Sequence, residues 1–163
     1  MSRTGLYVCA LAVALVGCNH PASEGSTANT PSASPPKPAA KADESTWGNY
    51  LSEQGRLHGK DVSVRPYIYV IPGGDNVAAN DRRQNETDSI VHGIGPILKP
   101  GGMLILGGAD SKQTTLFVTN LGKQLKADAM KGIVVMVVND ISEQTVDATA
   151  LKPSGAALRF VAM

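Results

Sequence analysis

The sequence lacks three features, and each shortage excludes a class of protein. Its only two cysteines, Cys9 and Cys18, both lie near the N-terminus. We therefore expect no disulfide, no Cys-ligated zinc and no catalytic thiol in the rest of the chain.

Net charge is almost absent, because 15 Lys and Arg balance 14 Asp and Glu. This balance argues against nucleic acid or a strongly acidic partner. The longest N-terminal apolar run, Leu6 to Val16, is shorter than the roughly 20 residues that span a bilayer.

Known catalytic and nucleotide-binding motifs are also missing. The sequence contains no G-x-S-x-G elbow and no H-E-x-x-H zinc motif. The stretch from Gly107 to Lys112 is not a P-loop, because its lysine does not follow the second glycine of G-x-x-x-x-G-K. The sequence predicts no cofactor, and an enzyme is the less favoured class.

The N-terminal apolar run has the form of an export signal. Arg3 precedes it, and about 7–15 apolar residues are typical of the central region of a signal peptide. The run ends in Leu15-Val16-Gly17-Cys18, which resembles the lipobox of bacterial lipoproteins. An ordinary signal peptide or a buried helix would also produce an apolar run, but the Leu, the small Gly and the Cys at these positions favour the lipobox.

The lipobox resemblance implies a location. In that family the signal peptide, here residues 1–17, is cleaved before the cysteine, and Cys18 then carries the lipid that holds the protein to a membrane. Asp directly after the lipidated cysteine favours inner-membrane retention in the family. Because this position is Asn19, the resemblance implies the outer membrane, with the protein facing the periplasm.

Residues 18–45 have the composition of a tether. Of the 27 residues from Asn19 to Ser45, 18 are Pro, Ala, Ser or Thr, and none is a large apolar residue. Such a segment buries too little surface to offset its ordering entropy, so we predict a disordered linker. Residues 46–163 then form one folded domain of roughly 118 residues, enough for a stable core without disulfides.

The domain alternates apolar strands with amphipathic helices. The pattern predicts a short helix from Thr46 to Gln54 capped by Thr46, and a minor edge strand from Asp61 to Val64. Four main strands follow, at residues 67–71, 103–106, 132–138 and 156–163. Helices lie between them, at about residues 79–98, at residues 112–126, and after a capping box formed by Asp140 and Glu143.

This alternation predicts an α/β fold. Strands that are apolar throughout are typical of a parallel sheet buried on both faces, joined by right-handed crossovers. We expect a small three-layer sandwich with a mostly parallel four-stranded sheet, which resembles the Rossmann-like and flavodoxin-like folds. The sequence is compatible with strand orders 2-1-3-4 and 3-2-1-4.

Three aspartates follow three successive strands. Asp75, Asp110 and Asp140 should share the rim at the carboxyl ends of the strands, together with Ser111 and Asn139. Ligands of open parallel sheets bind at this edge, near the point where the strand order reverses. The residues either form a small polar pocket, holding a divalent cation through the carboxylates, or only cap helices and shape turns.

Arg82 and Arg83 lie in a helix half with no apolar residue, which we expect to project past the sheet. They either pair with Glu86 and Asp88 as solvated helix charges, or one of them grips a phosphate or carboxylate.

The sequence predicts a membrane-anchored periplasmic lipoprotein whose α/β domain is non-catalytic and binds a protein or another envelope component. The alternative is a small hydrolase, or a ligand- or metal-binding domain, with its site at the carboxyl ends of the strands.

Overall fold

A computed structural model of the chain describes residues 34–163. The predicted signal peptide and lipobox, including Cys18, lie outside the described residues. One sheet of four parallel strands has helices on both faces. The strands are β1 (Tyr67–Ile71), β2 (Met103–Gly108), β3 (Val134–Asn139) and β4 (Ala157–Ala162); the α-helices are α1 (Glu44–His58), α2 (Val77–Asp88), α3 (Ser111–Gln124) and α4 (Gln144–Leu151).

The sheet separates two hydrophobic cores, which confirms the predicted three-layer α/β sandwich. One core joins alternate residues of β2 and β3, such as Leu104 and Val135, to Phe117 of α3. The other joins the intervening residues, such as Ile105 and Met136, to Trp47 of α1. Since neighbouring side chains of a strand point to opposite faces, both faces of the two central strands must be apolar.

The strand order is β1-β2-β3-β4, so both orders that the sequence suggested are wrong. Those orders require crossover helices on both faces. Here each crossover is right-handed and adds the next strand on the same side of the previous one. The helices between successive strands therefore all lie on one face of the sheet and contribute to one core. The opposite face is covered by α1, which precedes the first strand. A strand order that never reverses has no switch point, so the expected switch-point crevice does not exist.

Helix α1 is longer than predicted. Its cap is Asp43, whose side chain accepts the backbone N–H of Thr46 at 2.7 Å, so Thr46 itself is not the cap. The helix also continues through Gly55, beyond its predicted end at Gln54, to His58. A Cβ at Gly55 would lie 2.5 Å from Cδ1 of Ile105, so the missing side chain lets α1 lie close to β2.

Two predictions about strands are wrong. Residues 61–64 form no strand; instead, the Asp61 carboxylate pairs with Arg159 of β4 at 2.5 Å. Strand β1 is not buried on both faces, because it is an edge strand and Tyr67 is exposed. Strand β3 is central, and β4 is the other edge.

The segment between β1 and β2 is not one continuous α-helix. Helix α2 ends at Asp88 and is followed by a π-helical turn, Ser89–Ile94, and a 3-10 turn, Gly95–Ile97. A Cβ at Gly95 would lie 2.7 Å from the Ile90 carbonyl oxygen, so the tight turn requires glycine there. No helix among residues 34–163 is long and apolar enough to span a membrane.

The predicted capping box before α4 does not form. A 3-10 turn, Ile141–Glu143, precedes α4. Asp140 caps this turn by accepting the Ser142 N–H at 2.9 Å, whereas the Glu143 carboxylate accepts the hydroxyl of Thr115. Glu143 therefore joins α4 to α3 and does not bond back to the backbone of Asp140.

Candidate functional site

A groove of about 690 Å³ lies at the carboxyl ends of β1 and β2. Its position follows from the two helices that begin there. The first turn of α1 places Trp47 in the wall, and the first turn of α3 places Ser111 and Lys112 opposite. Ala40 and Ala42, from the segment before α1, and Arg82 of α2 also line the groove. Volumes of 300–1,000 Å³ are typical of small-molecule sites.

The groove brings together three of the residues predicted from the sequence. Arg82, Asp110 and Ser111 all line it. Asp75, Asn139 and Asp140 do not belong to its lining. The residues predicted from the sequence are therefore divided between the groove and other parts of the domain.

Asp110 holds together the two chain segments that meet at the groove. One carboxylate oxygen accepts the Gln113 N–H at 3.1 Å and so caps α3, while the other accepts the Gly74 N–H at 3.4 Å. The same carboxylate thus joins the loop after β1 to the helix after β2. Gly73 lies against it, with a hypothetical Cβ only 3.3 Å from Cβ of Asp110.

The other two aspartates have separate roles. Asp75 is exposed and does not cap α2; Asn76 does, accepting the Ala79 N–H at 2.9 Å. Hydrogen bonds from the backbone and side chain of Ser142 hold the pKa of Asp140 below its ordinary value. Within residues 34–163, no three His, Cys, Asp or Glu residues are grouped to hold a metal ion.

The Gly-Gly pair of β2 allows close packing of protein against protein. A Cβ at Gly108 would lie 2.3 Å from the carbonyl oxygen of Ile71, and one at Gly107 would lie 2.8 Å from both Leu51 Cδ2 and the Val138 carbonyl oxygen. The space that these glycines leave is therefore filled by β1, β3 and α1. We assign them to the sheet rather than to ligand binding.

The two adjacent arginines differ in role. Arg83 is 7% exposed and donates to the Pro72 carbonyl oxygen and to Oδ1 of Asn80, both at 2.5 Å. It fixes the end of β1 against α2 and is not available to a partner. Arg82 is exposed and forms ion pairs with Glu44 of α1 and with Glu86 one turn further along α2.

The ion pairs of Arg82 hold the polar half of α2 against the start of α1, beside the groove. The Arg82 guanidinium donates two hydrogen bonds to Glu44, at 2.7 and 2.5 Å, and holds the pKa of Glu44 below its ordinary value. Burial raises the pKa of Glu86, and Arg82 opposes that rise. Because Arg82 joins α2 to the start of α1, the polar half of α2 is tied to the domain.

A buried polar cluster at the end of β3 was not predicted as a unit. Asn139 is 0% exposed, and its Nδ2 donates to Thr115 Oγ1 at 3.0 Å and to Asp147 Oδ2 at 2.8 Å. Asp147 is 1% exposed, and burial raises its pKa. Only Asn139 had been singled out from the sequence, as a contact residue. It is instead an interior residue, because α3 and α4 enclose the end of β3.

Sequence reasoning also missed two groups of the groove. Trp47 packs on the domain, with 2% exposure. Its indole Nε1, however, has no hydrogen-bond partner among the described residues. Lys112 lies at the groove but had no motif to mark it. The sequence feature that could have indicated Lys112 is its position in the first turn of a helix that starts directly after a strand.

No protein-family model, no curated protein and no solved structure matches this chain. The geometry of the groove and the N-terminal sequence are therefore the grounds on which a function is proposed.

Proposed function

We propose that the protein is a lipid-anchored lipoprotein of the outer membrane, facing the periplasm, whose α/β domain binds a protein or envelope component through the groove at the carboxyl ends of β1 and β2. The observation that carries the binding role is the groove itself, which places the exposed Lys112 beside apolar residues such as Val70 and Ala109. A groove of this size with a few polar groups among apolar ones is typical of a binding site.

The anchor and the groove are connected through the chain. The lipobox and the Pro- and Ala-rich residues that follow it support attachment to a membrane by a linker. The end of that linker reaches the groove, since Ala40 and Ala42 form part of its lining. A tethered domain searches a volume close to the membrane, which raises the effective concentration of a partner held there.

The anchoring is tested by labelling cells with a radioactive fatty acid. We expect Cys18→Ala to abolish labelling and to leave the uncleaved precursor, whereas Cys9→Ala, the matched control in the expected signal peptide, keeps full labelling. Labelled Cys18→Ala protein would contradict the lipobox. Asn19→Asp should move the labelled protein from the outer to the inner membrane fraction.

The binding role is tested by affinity capture from envelope extract with the complete lipidated protein. We expect Lys112→Glu to lose the captured component, because it reverses the charge in the groove. Lys123→Glu, at the other end of α3, is the matched control and should retain it. Capture that survives Lys112→Glu unchanged would exclude the groove as the binding surface. A double substitution at Arg82 and Arg83 would not test the groove, because replacing the buried Arg83 would also destabilise the domain.

A further inference from the structure

The two edges of the sheet differ in the side chains that they present. Strand β4 contains Arg159, whose guanidinium pairs with Asp61. Charged residues on an edge strand oppose pairing with another chain. Strand β1 contains no charged residue, since its sequence is Tyr-Ile-Tyr-Val-Ile, and aromatic and β-branched residues are the types that strands favour. The edge of β1 therefore lacks the protection that the edge of β4 has.

The backbone groups that β1 turns away from the sheet belong to Ile68 and Val70. The Val134 N–H of β3 donates to the carbonyl oxygen of Gly102, directly before β2, at 2.9 Å. Because successive residues of a strand turn their backbone groups to opposite sides, Ile105 of β2 is turned towards β1. Ile105 is aligned with Ile68, and in a parallel ladder it bonds the residues on either side of its partner. The N–H and C=O groups of Ile68 and Val70 therefore point away from β2.

A second groove, of about 380 Å³, lies beside these backbone groups, and we call it the edge groove. Its lining includes residues 68–70 of β1, Glu44 of α1, and Arg82 and Glu86 of α2. Arg82 donates to both oxygens of Glu44 and to Oε1 of Glu86. Oε2 of Glu86 has no hydrogen-bond partner among residues 34–163. Two carboxylates and one guanidinium thus leave this side of the edge groove with an excess of negative charge.

An arginine without an ion-pair partner lies at the opposite end of β1. Arg65 is exposed, two residues before the strand begins, and forms no ion pair within the described part of the chain. Glu44 and Arg82 lie at the end of the strand, because both also line the first groove together with Pro72 and Gly73. Antiparallel pairing of two β1 strands brings the start of each beside the end of the other. Arg65 of each copy then approaches the acidic side of the other's edge groove.

We propose that the edge of β1 is a self-association surface, on which two copies of the protein join their sheets by antiparallel pairing of β1 about a two-fold axis at Tyr69. In this register Ile68 of each copy lies opposite Val70 of the other, and each such pair exchanges both of its N–H···O bonds. The surface is complementary to itself in hydrogen bonding and in charge, as a closed two-fold dimer requires. The proposal depends neither on the groove at the carboxyl ends of β1 and β2 nor on the lipid anchor.

A disulfide across the two-fold axis tests the register. Residues that face each other without exchanging hydrogen bonds have Cα atoms about 4.5 Å apart, which is within the range that a disulfide spans. Tyr69→Cys in the complete chain should therefore give a crosslinked dimer when cells are oxidised. Tyr67→Cys is the matched control on the same strand. Its two copies would lie about 13 Å apart along the strands, too far for a disulfide.

The crosslinked product is identified by its mass on a non-reducing gel, with the wild type as the reference for its own cysteines. Equal crosslinking of Tyr69→Cys and Tyr67→Cys would overturn the proposal. A product whose mass is not twice that of the chain would show that another protein occupies the edge, and would overturn it as well. Tyr69→Cys loses the hydrogen bond between the Tyr69 and Ser89 hydroxyls, so a second measurement uses variants that leave β1 intact.

Sedimentation equilibrium of the complete protein in density-matched detergent supplies that measurement. We expect the wild type to form a dimer as its concentration rises. Arg65→Glu should weaken the dimer about tenfold or more, because it places like charges against each other twice in the interface. Lys123→Glu, the same charge change at the end of α3, should dimerise as the wild type does. A wild type that stays monomeric up to about 100 μM, or an unchanged dissociation constant for Arg65→Glu, would overturn the proposal.

Discussion

Asn139 and Asp147 are joined inside the domain by a hydrogen bond of 2.8 Å from Nδ2 of the amide to Oδ2 of the carboxyl group. The second oxygen, Oδ1 of Asp147, is buried and has no hydrogen-bond partner within residues 34–163. Nearby, Thr115 accepts from the same amide and donates to Glu143 at 2.9 Å. The carboxyl group of Asp147 thus accepts from the Asn139 amide, and that of Glu143 accepts from the Thr115 hydroxyl. Oδ1 of Asp147 accepts no hydrogen bond and can carry a proton.

This arrangement makes the stability of the domain depend on pH. Burial raises the pKa of Asp147, since the carboxylate loses its hydration. The hydrogen bond from Asn139 lowers the pKa less strongly, and the charge of Glu143 raises it. The unfolded chain then releases the proton at lower pH than the folded domain does. The contribution of protonated Asp147 is therefore complete below the unfolded pKa and is lost as the pH rises through the folded pKa.

We expect Asp147→Asn to remove this loss. The amide is neutral at every pH, and its oxygen keeps the hydrogen bond from Asn139. The free energy of unfolding should rise by on the order of 1 kcal/mol above about pH 7, with no gain below about pH 4. Urea unfolding across this pH range measures the difference from the wild type. Asp81→Asn, which changes an exposed carboxylate of α2, should follow the wild-type curve. Parallel curves for Asp147→Asn and wild type would show that Asp147 does not titrate in this way.

The Thr115 hydroxyl should matter more than that of its neighbour. Thr115→Val leaves Glu143 without its donor and removes one of the two acceptors of the Asn139 amide, so we expect a loss of about 1–3 kcal/mol. Thr114→Val is the matched control, because the Thr114 hydroxyl donates to the Asp110 carbonyl oxygen one turn back, which the Thr114 N–H also reaches. Its loss should stay below about 1 kcal/mol. Equal losses, measured by chemical denaturation, would contradict the role given to Thr115.

The adjacent arginines should separate in the same kind of experiment. Arg83→Ala leaves the carbonyl oxygen of Pro72 without its donor inside the protein, and we expect a loss of about 2 kcal/mol or more. Arg82→Ala breaks exposed ion pairs with Glu44 and Glu86 and should cost about 1 kcal/mol or less, with the difference shrinking in high salt. Denaturation at low and high salt measures both. A larger loss for Arg82→Ala would contradict the burial of Arg83.

Two helical glycines should respond to alanine with opposite signs. A Cβ at Gly122 would lie 2.3 Å from the carbonyl oxygen of Ala150, where α3 approaches α4. Gly122→Ala must force the two helices apart, at a cost of about 1–3 kcal/mol. At Gly48 the nearest atom, Cγ2 of Val70, would lie at 3.8 Å, an ordinary contact. Gly48→Ala should therefore stabilise α1 by about 0.5–1 kcal/mol through helix propensity. Thermal unfolding of both variants measures the signs, and a stabilising Gly122→Ala would refute the close approach.

Much of the domain could be predicted from the sequence because the information is local. Residues 103–106 and 132–138 are continuous apolar runs, which only a strand covered on both faces can bury in so few residues. The apolar residues Phe117, Val118 and Leu121 recur with the helical period, and all three are buried. Asp110, an Asp directly before the predicted helix, is its N-cap.

The remaining errors concern contacts between distant parts of the chain. No local pattern indicates that α1 covers the face of the sheet opposite the crossover helices, and this placement is what allows the order β1-β2-β3-β4. Arg82 and Arg83 are identical in type and adjacent, so no local pattern could show that one is buried against Pro72 and the other faces Glu44. Helical geometry turns neighbours about 100° apart, and only the surrounding elements decide which side is the interior.

By itself, the sequence determined the class of fold, the places where strands and helices form, and the N-terminal pattern on which the proposal of a lipid anchor depends. These follow from composition and from the spacing of apolar residues, every two residues in a strand and every 3.6 in a helix, which can be read in each segment alone. Only the tertiary structure decided the strand order, the burial of Asn139 and Asp147, and the groove that Trp47 and Lys112 line. These depend on which surfaces pack together, because hydrophobic burial has no direction and many arrangements of the same elements satisfy the same local patterns.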